Sequence, residues 1–282
     1  MFAPGPDALN AMRCLWVTNE GARQITHNSI RTLLEVAPDL ADSLHIGYLG
    51  DSCGDYFRET FPHASVIDVA GLPGWDEFVL DGTDENYADF GSVEFRDVSF
   101  ARYFVLMFLM QREDVPVLYI DGDIGFVSDP RPQLLRATVA GASVLIQSDL
   151  PFHRRTRHDD DGRARLRRRQ QRTLCTGFMC WSGAARTQAM AQRVIDGRRV
   201  DQRNGHDQRV LNELPLEELH DFVSLPEQVF LNGSYVFKNG RRRPAPRRAD
   251  GPVPQACLVH ANWMIGMRLK IDALKLVGLW RL

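Results

Sequence analysis

The stretch Val117-Leu-Tyr-Ile-Asp121-Gly-Asp123-Ile-Gly-Phe126 decides the fold and points to the chemistry. Four apolar residues end abruptly in two carboxylates, which is typical of a buried parallel strand that delivers its carboxyl end to a cleft. Side chains two positions apart in an extended chain point the same way, so Asp121 and Asp123 would converge and repel each other unless a divalent cation neutralises them. Gly122 lets another group approach the backbone. The stretch predicts a metal–diphosphate site, with an Asp-Gly turn between two strands as the alternative.

Strands and helices alternate through the first half of the chain. This alternation predicts a mostly parallel sheet flanked by helices. Ligands of such sheets bind beyond the carboxyl ends of the strands, which is where Asp121 falls. The acidic segment 71–97 is predicted to be a long loop, and residues 99–111 a helix. The predicted strands of this half are residues 14–18, 44–49, 64–69 and 116–120.

Beyond residue 130 the predicted strands become shorter, at residues 143–147, 174–181 and 256–260, and an amphipathic helix is predicted at 271–280. Two segments, residues 153–172 and 239–255, are dense in arginine and hold few apolar groups. We expect both to be exposed loops, because they cannot contribute to a packed core.

The composition is that of an ordinary globular protein, with 282 residues, 44% hydrophobic and 25% charged. A formal net charge of -2 gives no general attraction to nucleic acid. The five cysteines lack metal-ligand spacing, so we expect buried, reduced thiols and a cytoplasmic protein. The amino terminus has no signal-peptide pattern, and the longest apolar run is far below the roughly 20 residues of a transmembrane helix. We therefore expect no transmembrane segment, while peripheral membrane attachment stays open.

Several residues stand where they could complete a metal–diphosphate site. Arg102 is the single charge in the apolar helical stretch 100–110, so it needs an anionic partner, either a structural Asp or a bound phosphate or nucleotide. His260 ends an apolar strand, and a neutral imidazole there can complete the coordination of a metal. Taken alone it would more often be a satisfied core histidine, but the Asp pair favours ligation. Gly266 and Lys270 can approach and neutralise a diphosphate.

Three polar residues are candidates for chemistry on a substrate. Asp207 and Gln208 open a predicted helix, where an Asp is as often a cap as a functional group. Asp149 follows the strand at residues 143–147, so it could face the same cleft.

Five motifs follow one another in the chain. They are Asp-x-Asp at 121–123, Thr-Gly-Phe-Met at 176–179, Asp-Gln-x-x-x-Asn at 207–212, Leu-Pro-x-x-x-Phe-x-Asn-Gly at 225–233 and His-x-Asn-Trp-x-x-Gly-x-x-x-Lys at 260–270. Single motifs are common, but this ordered set resembles the nucleotide-diphospho-sugar transferase family over about residues 14–280. The resemblance implies an α/β fold of GT-A type, with a Rossmann-like, mostly parallel central sheet flanked by helices and a smaller acceptor-side region. It implies one domain over 1–282, with a nucleotide-sugar-binding half at 12–130 and an acceptor-side half at 131–282.

The resemblance also implies the roles of five residues around the diphosphate. Asp121, Asp123 and His260 would hold Mn²⁺ or Mg²⁺ and, through it, the diphosphate of the donor. Asp121 would also belong to the donor-binding set, together with Gly266 and Lys270, which would face the diphosphate.

Other residues would contact the rest of the donor by the same resemblance. Thr18 and Asn19 match the first strand-end loop, which touches the nucleoside, and Arg102 matches an arginine that approaches the donor. Asp207 and Gln208 match a motif near the transferred sugar or the acceptor.

The activity implied is metal-dependent transfer of a sugar from a UDP-sugar donor, with retention, to a glycan, lipid-linked or small-molecule acceptor. The group acting on the sugar stays open among Asp207, Gln208 and Asp149. Cys175 departs from the family, which usually has an Asn there, and a thiol cannot replace the hydrogen bonds of an amide.

Two other functional classes fit parts of the sequence. One is a phosphohydrolase with Asp121 as covalent nucleophile and Asp123 as acid/base, although the position of the motif in the chain is unusual for that class. The other is a non-catalytic binder of sugar nucleotides or polyanions, with the arginine-rich loops 153–172 and 239–255 as its contact surface.

Overall fold

The computed structural model describes residues 6–80, 93–138, 142–148, 174–183, 185–200, 207–214, 222–238, 241–242, 256–262, 264 and 266–282. The strands are β1 Arg13–Asn19, β2 Leu44–Leu49, β3 Ser65–Asp68, β4 Val117–Ile120, β5 Ile124–Phe126, β6 Val144–Ser148, β7 Leu174–Trp181, β8 Phe222–Ser224, β9 Phe230–Leu231, β10 Phe237–Lys238, β11 Arg241–Arg242 and β12 Leu258–His260. The helices are α1 Pro6–Asn10, α2 Arg23–Val36, α3 Asp51–Thr60, α4 Trp75–Leu80, α5 Val93–Arg112, α6 Arg131–Ala137, α7 Ala185–Val200, α8 Asp207–Glu213, α9 Gly233–Val236 and α10 Met267–Leu276. The predicted α/β fold class is confirmed.

The central sheet has seven strands in the order β3-β2-β1-β4-β7-β6-β8. Strands β3, β2, β1 and β4 run parallel to one another, and β8 is parallel to β6. Strand β7 runs antiparallel to both β4 and β6. The sheet is therefore mostly parallel, as predicted, and β4 lies at its centre beside the first strand.

Alternate side chains of β4 enter two different hydrophobic layers. Leu118 and Ile120 lie in the layer that contains Ile30 of α2, whereas Tyr119 lies in the layer that contains Phe104 of α5. This is the two-residue period of a strand covered by helices on both faces. Asp121, two residues after Tyr119, therefore leaves the sheet on the side of α5.

A smaller sheet in the order β5-β12-β9 stands next to the carboxyl end of β4. Strand β12 is antiparallel to β5, with His260 paired to Ile124, and parallel to β9. Val259 of β12 packs in one cluster with Leu274 of α10 and Ile25 of α2. This register brings a strand end from late in the chain to the turn that carries Asp123.

The local structure differs from the sequence-based expectations in three places. Segment 71–97 is not a continuous loop, because residues 75–80 form α4 and α5 begins at residue 93, while 81–92 lie outside the described residues. Tertiary packing stabilises α4, whose Trp75 ring lies 5.2 Å from that of Phe104, edge to face. Helix α7 was not predicted, because the arginines in its sequence obscure the helical spacing of its buried apolar residues, which include Val194 and Ile195. The alternative, an Asp-Gly turn between two strands, is present in part, because residues 121–123 form a turn between β4 and β5, but these strands belong to different sheets and do not pair as a hairpin.

Two other expectations concern the cysteines and the membrane. All five cysteines are free and buried, as predicted. Among the residues that the structure describes, no helix combines the length and the apolar character needed to cross a bilayer.

Candidate active site

The turn after β4 presents two carboxylates at the carboxyl end of the sheet. Ile124 N–H donates to Asp121 O at 3.2 Å and closes the turn, while Asp121 N–H donates to Gly177 O of β7 at 2.7 Å. The Asp123 side chain is 5% exposed and that of Asp121 is 27% exposed, so the site opens on the side of Asp121.

His260 reaches this turn because β12 continues the small sheet beside it. The backbone N–H of Ala261 donates to Asp123 O at 2.9 Å, one step beyond the register pair of His260 and Ile124. Nε2 of His260 then lies 3.1 Å from Asp123 Oδ1 and 3.7 Å from Asp121 Oδ2. One ligand atom from each of the three residues lies within 4.8 Å of the other two, as a shared metal ion requires.

The chemistry of this donor set fits a divalent cation. Nδ1 of His260 lies 2.7 Å from the amide oxygen of Gln147, which can only accept, so Nδ1 carries a hydrogen. In the neutral imidazole, Nε2 then has a lone pair directed at two carboxylates, and within the described residues this buried nitrogen has no hydrogen-bond partner of acceptable geometry. Three electron-pair donors that face one another repel unless a cation lies between them. Burial lowers the pKa of His260, but Asp123 and Asp121 outweigh this effect and hold the pKa well above its ordinary value, which shows how strongly the two carboxylates attract positive charge.

Lys270 places a cation beside the same carboxylates. Its Nζ lies 2.7 Å from Asp123 Oδ2, and its side chain is 26% exposed. Burial of Asp123 favours its neutral form, but Lys270 and His260 outweigh this effect and hold the pKa of its carboxyl well below the usual range. Asp123 is therefore ionised at neutral pH, and Lys270 stands at the open edge where a bound anion would meet it.

Arg102 of α5 links the turn to a second carboxylate. Its guanidinium lies 3.3 Å from Asp121 Oδ1 and 3.6 Å from Asp207 Oδ2, and it donates to Thr176 O at 2.8 Å. Burial opposes the charge, but Asp121 and Asp207 raise the pKa of Arg102 above its ordinary value, so the group stays charged. Burial of Asp121 is likewise outweighed by Arg102, which lowers its pKa to about 2. Of the two partners that the sequence allowed for Arg102, the structure provides protein carboxylates.

Two tyrosines complete this buried network. Tyr119 donates to Asp121 Oδ1 at 2.6 Å, and its ring lies under the Arg102 guanidinium, 4.4 Å from the ring centre. Tyr103 donates to Asp207 Oδ2 at 3.1 Å. The network fixes the orientation of Asp121 from the side opposite to His260 and ties it to the start of α8.

The remaining candidates lie at the borders of the site. Thr18 is buried, and its hydroxyl accepts from that of Thr26 and donates to Asn19 O, so this hydroxyl is engaged within the protein. Asn19 accepts the N–H of Ala22 and caps the short 3₁₀ helix Glu20–Ala22. Gly266, with φ of 94°, precedes α10 and has open space around it.

Helix α8 carries two of the residues proposed to act on the sugar. Asp207 is its first residue and is buried against Arg102, and Gln208 follows with a half-buried side chain. The third, Asp149, lies outside the described residues, as do the arginine-rich segment 153–172 and all of 239–255 except residues 241–242, which form β11 and not a loop.

Sequence reasoning missed Tyr119 and Gln147. Tyr119 precedes Asp121 by two residues in β4, so the strand period alone places both on one face. Gln147 is an amide in the otherwise apolar stretch 144–147, and a buried amide requires partners. Both signals are present in the sequence, but neither names the partner.

The sequence profile of the family described as nucleotide-diphospho-sugar transferase matches residues 74–274. This span includes the Asp-x-Asp turn, His260 and Lys270, and it covers more than half of the chain. The protein belongs to the nucleotide-diphospho-sugar transferase family. No curated protein matches the sequence as a relative.

Solved structures agree with this family in their fold. Mouse xyloside xylosyltransferase 1 in its apo form matches with a TM-score of 0.54 at 12% identity, over 91% of this chain and 99% of that one. The galactosyltransferase LgtC in complex with donor and acceptor sugar analogues matches with a TM-score of 0.53 at 14% identity, over 96% and 97%. The glycosyltransferase GlyE of Streptococcus pneumoniae TIGR4 gives 0.53 at 14% identity, over 94% of this chain, which spans only 59% of GlyE. At these identities the likeness shows a shared GT-A fold.

The family match bears on the functional classes that the sequence left open. It confirms a glycosyltransferase of the nucleotide-diphospho-sugar transferase family, and it argues against the phosphohydrolase with a nucleophilic Asp. In this family member Asp121 is engaged by Tyr119 and Arg102 through Oδ1, so its Oδ2 is the oxygen that remains directed toward His260.

Proposed function

We propose that the protein is a metal-dependent glycosyltransferase that moves a sugar from a UDP-sugar to an acceptor with retention at the anomeric carbon. The observation that carries this proposal is the convergence of Asp121, Asp123 and His260, with a histidine lone pair directed at two carboxylates. Such a set has no stable arrangement without a proton or a cation between its members.

The diphosphate would bind at the open edge of this set. A divalent Mn²⁺ or Mg²⁺ held by the three residues would supply a Lewis acid that neutralises the departing diphosphate. Lys270 would form an ion pair with the outer phosphate oxygens, since its side chain is partly exposed beside Asp123. Gly266 leaves open the amino-terminal end of α10, whose free N–H groups and dipole favour an anion.

The sugar would lie between the metal and α8. The guanidinium of Arg102 lies between Asp121 and Asp207. It therefore holds both a proposed metal ligand, Asp121, and a carboxylate proposed to meet the sugar, Asp207. Our candidates for stabilising positive charge at the anomeric carbon, or for attacking that carbon, are Asp207, Gln208 and Asp149. Retention requires either that the acceptor enters on the face from which the diphosphate leaves or that a covalent glycosyl-enzyme intermediate forms.

The loop at the end of β1, with Thr18 and Asn19, would contact the nucleoside. We assign residues 12–130 to the donor-binding half and 131–282 to the acceptor-side half. The acceptor is a glycan, a lipid-linked sugar or a small molecule, and a cytoplasmic location agrees with the five free thiols.

A screen of nucleotide sugars with Mn²⁺, which reads donor hydrolysis and thermal shift together, tests this function. Asp123→Asn should abolish metal-dependent turnover, whereas Asp55→Asn, at an exposed ion pair with Arg58, should leave it unchanged. The configuration of the product at the anomeric carbon, read by NMR, tests retention. Wild-type turnover by Asp123→Asn would contradict the metal site.

A further inference from the structure

Gln147 is a buried amide with both ends engaged. It lies near the end of β6 after three apolar residues, and its side chain is 1% exposed. Its Nε2 donates to Phe230 O of β9 at 3.1 Å, and its Oε1 lies 2.7 Å from His260 Nδ1. The amide therefore joins the central sheet to the small sheet at the level of the candidate metal ligands.

The contact with Phe230 determines which atom of the amide faces the histidine. A carbonyl oxygen can only accept, so it selects the NH₂ group of Gln147 and turns the amide oxygen toward His260. That oxygen can only accept as well, so Nδ1 of His260 must carry the hydrogen. The remaining ring nitrogen, Nε2, then faces Asp121 and Asp123.

Cys175, which among the described residues also lies near Nδ1, does not replace this contact. Cys175 Sγ lies 3.8 Å from Nδ1, at the outer limit for sulfur, and it also accepts from Asn262 Nδ2 at 3.6 Å. A thiol is a weak donor and a weak acceptor, so it imposes no tautomer on the ring.

We propose that Gln147 is a positioning residue that fixes the ring orientation and the tautomer of His260, so that Nε2 is preset to ligate a divalent cation. The inference rests on the proposed metal-dependent function. Partners that hydrogen-bond the second nitrogen of a ligating histidine typically contribute 10–100-fold to metal affinity. Here a neutral amide, itself oriented by a backbone carbonyl, performs that task.

A purely architectural role is the rival explanation, because Gln147 also ties β6 to β9. Gln147→Glu and Gln147→Leu separate the two roles. Both substitutions remove the hydrogen bond to Phe230 O, so both should lower the melting temperature. Only Glu keeps an acceptor for His260 Nδ1.

The test measures Mn²⁺ binding by the full chain, with and without UDP, from the EPR signal of the free ion. A melting curve is recorded for each variant as well. Gln147→Leu should bind Mn²⁺ roughly 10–100-fold more weakly than wild type. Gln147→Glu should bind close to wild type despite its lower melting temperature. Gln147→Met, which keeps the side-chain length, is the second variant if the Leu protein does not fold.

Gln188→Leu is the matched control, because Gln188 also donates a side-chain amide to a backbone carbonyl, that of Met110, far from the site. It should leave Mn²⁺ affinity unchanged. Wild-type affinity in Gln147→Leu, with weak binding by Asp123→Asn, would overturn the role of Gln147 alone. Equal Mn²⁺ binding by wild type and Asp123→Asn would overturn the metal site and this inference with it.

Discussion

The His260 ring lies against the backbone of Gly177, so closely that a Cβ atom at position 177 would overlap Cε1 of the ring. The same Cβ atom would lie 2.6 Å from Asp121 Oδ2, which is shorter than the contacts that Cβ atoms make with non-bonded atoms in real proteins. Two candidate metal ligands from distant parts of the chain thus meet above one strand position that has no side chain. The absence of a Cβ at residue 177 is a geometric condition for the site.

Gly177→Ala should therefore separate His260 from Asp121. We expect Mn²⁺ affinity to fall at least tenfold, and stability to fall by roughly 1–3 kcal/mol because β7 is packed on both faces. EPR of free Mn²⁺ and urea denaturation measure the two effects. Gly71→Ala is the control, since a Cβ there meets nothing within 4 Å. Undiminished Mn²⁺ binding by Gly177→Ala would show that the ligands do not need this contact.

The middle residue of the Asp-x-Asp turn is constrained by α2. A Cβ at Gly122 would overlap Oγ1 of Thr26 and lie 3.2 Å from its Cα. Gly122→Ala should thus destabilise the protein by roughly 1–3 kcal/mol. Thr26→Ala removes the overlapping hydroxyl. The loss in free energy of unfolding should therefore be smaller for the double variant than the sum of the losses for the two single variants. A double-mutant cycle by urea denaturation measures this coupling, and strict additivity would contradict the contact.

Arg102 neutralises two carboxylates, the buried Asp207 and the partly exposed Asp121. Arg102→Met leaves Asp121 and Asp207 without it, and breaking a buried ion pair from one side costs about 3–5 kcal/mol. Urea denaturation in the absence of metal is the measurement. Arg31→Met, at an exposed arginine whose NH1 lies 3.4 Å from the backbone oxygen of Arg281, should change stability little. An equally small loss of stability in Arg102→Met would contradict this prediction and would mean that water solvates the two carboxylates in place of the guanidinium.

His45 gives stability a pH dependence away from the candidate metal ligands. Burial lowers the pKa of His45 below 6.5, and Nδ1 contacts Ser43 O at 3.1 Å. The unfolded chain thus binds a proton at a higher pH than the folded one, so stability is fully present above pH 6.5 and decreases as the pH falls below it. His45→Gln, which keeps a donor for Ser43 O, should reduce the slope between pH 7 and pH 5. Urea denaturation across this range measures it, and an unchanged slope would assign the effect to other groups such as His27, whose pKa burial also lowers.

The sequence predicted the elements of the site better than their contacts. Local sequence patterns identified the end of β4, the strand that ends at His260 and the lone charge of Arg102. Buried strands and helices can be recognised in this way because their apolar residues recur with a regular spacing. The partner of Arg102 could not be chosen, since Asp207 lies more than a hundred residues away and only the packing of α5 against α8 unites them. The requirement for glycine at 177 was invisible for the same reason.

Helices α4 and α7 were missed because their stability comes from tertiary contacts. Trp75 anchors α4 on Phe104 of α5, a contact that no window of local sequence contains. Propensity is a weak prior in such short or arginine-rich segments, and packing overrides it.

Lys270 and a metal ion would compete for Asp123. With Nζ 2.7 Å from Asp123 Oδ2, the ammonium repels a cation that enters the site, yet it attracts the diphosphate that follows. Lys270→Met should therefore bind Mn²⁺ alone more tightly, by about tenfold or 1.4 kcal/mol, and UDP in saturating Mn²⁺ more weakly by a similar factor. EPR of free Mn²⁺ and calorimetry with UDP measure the two constants. Lys275→Met, at an exposed lysine of the same helix that lies over the Trp280 ring, should change neither. Weaker binding of both ligands by Lys270→Met would contradict the competition and would instead make Lys270 a support for the fold of the site.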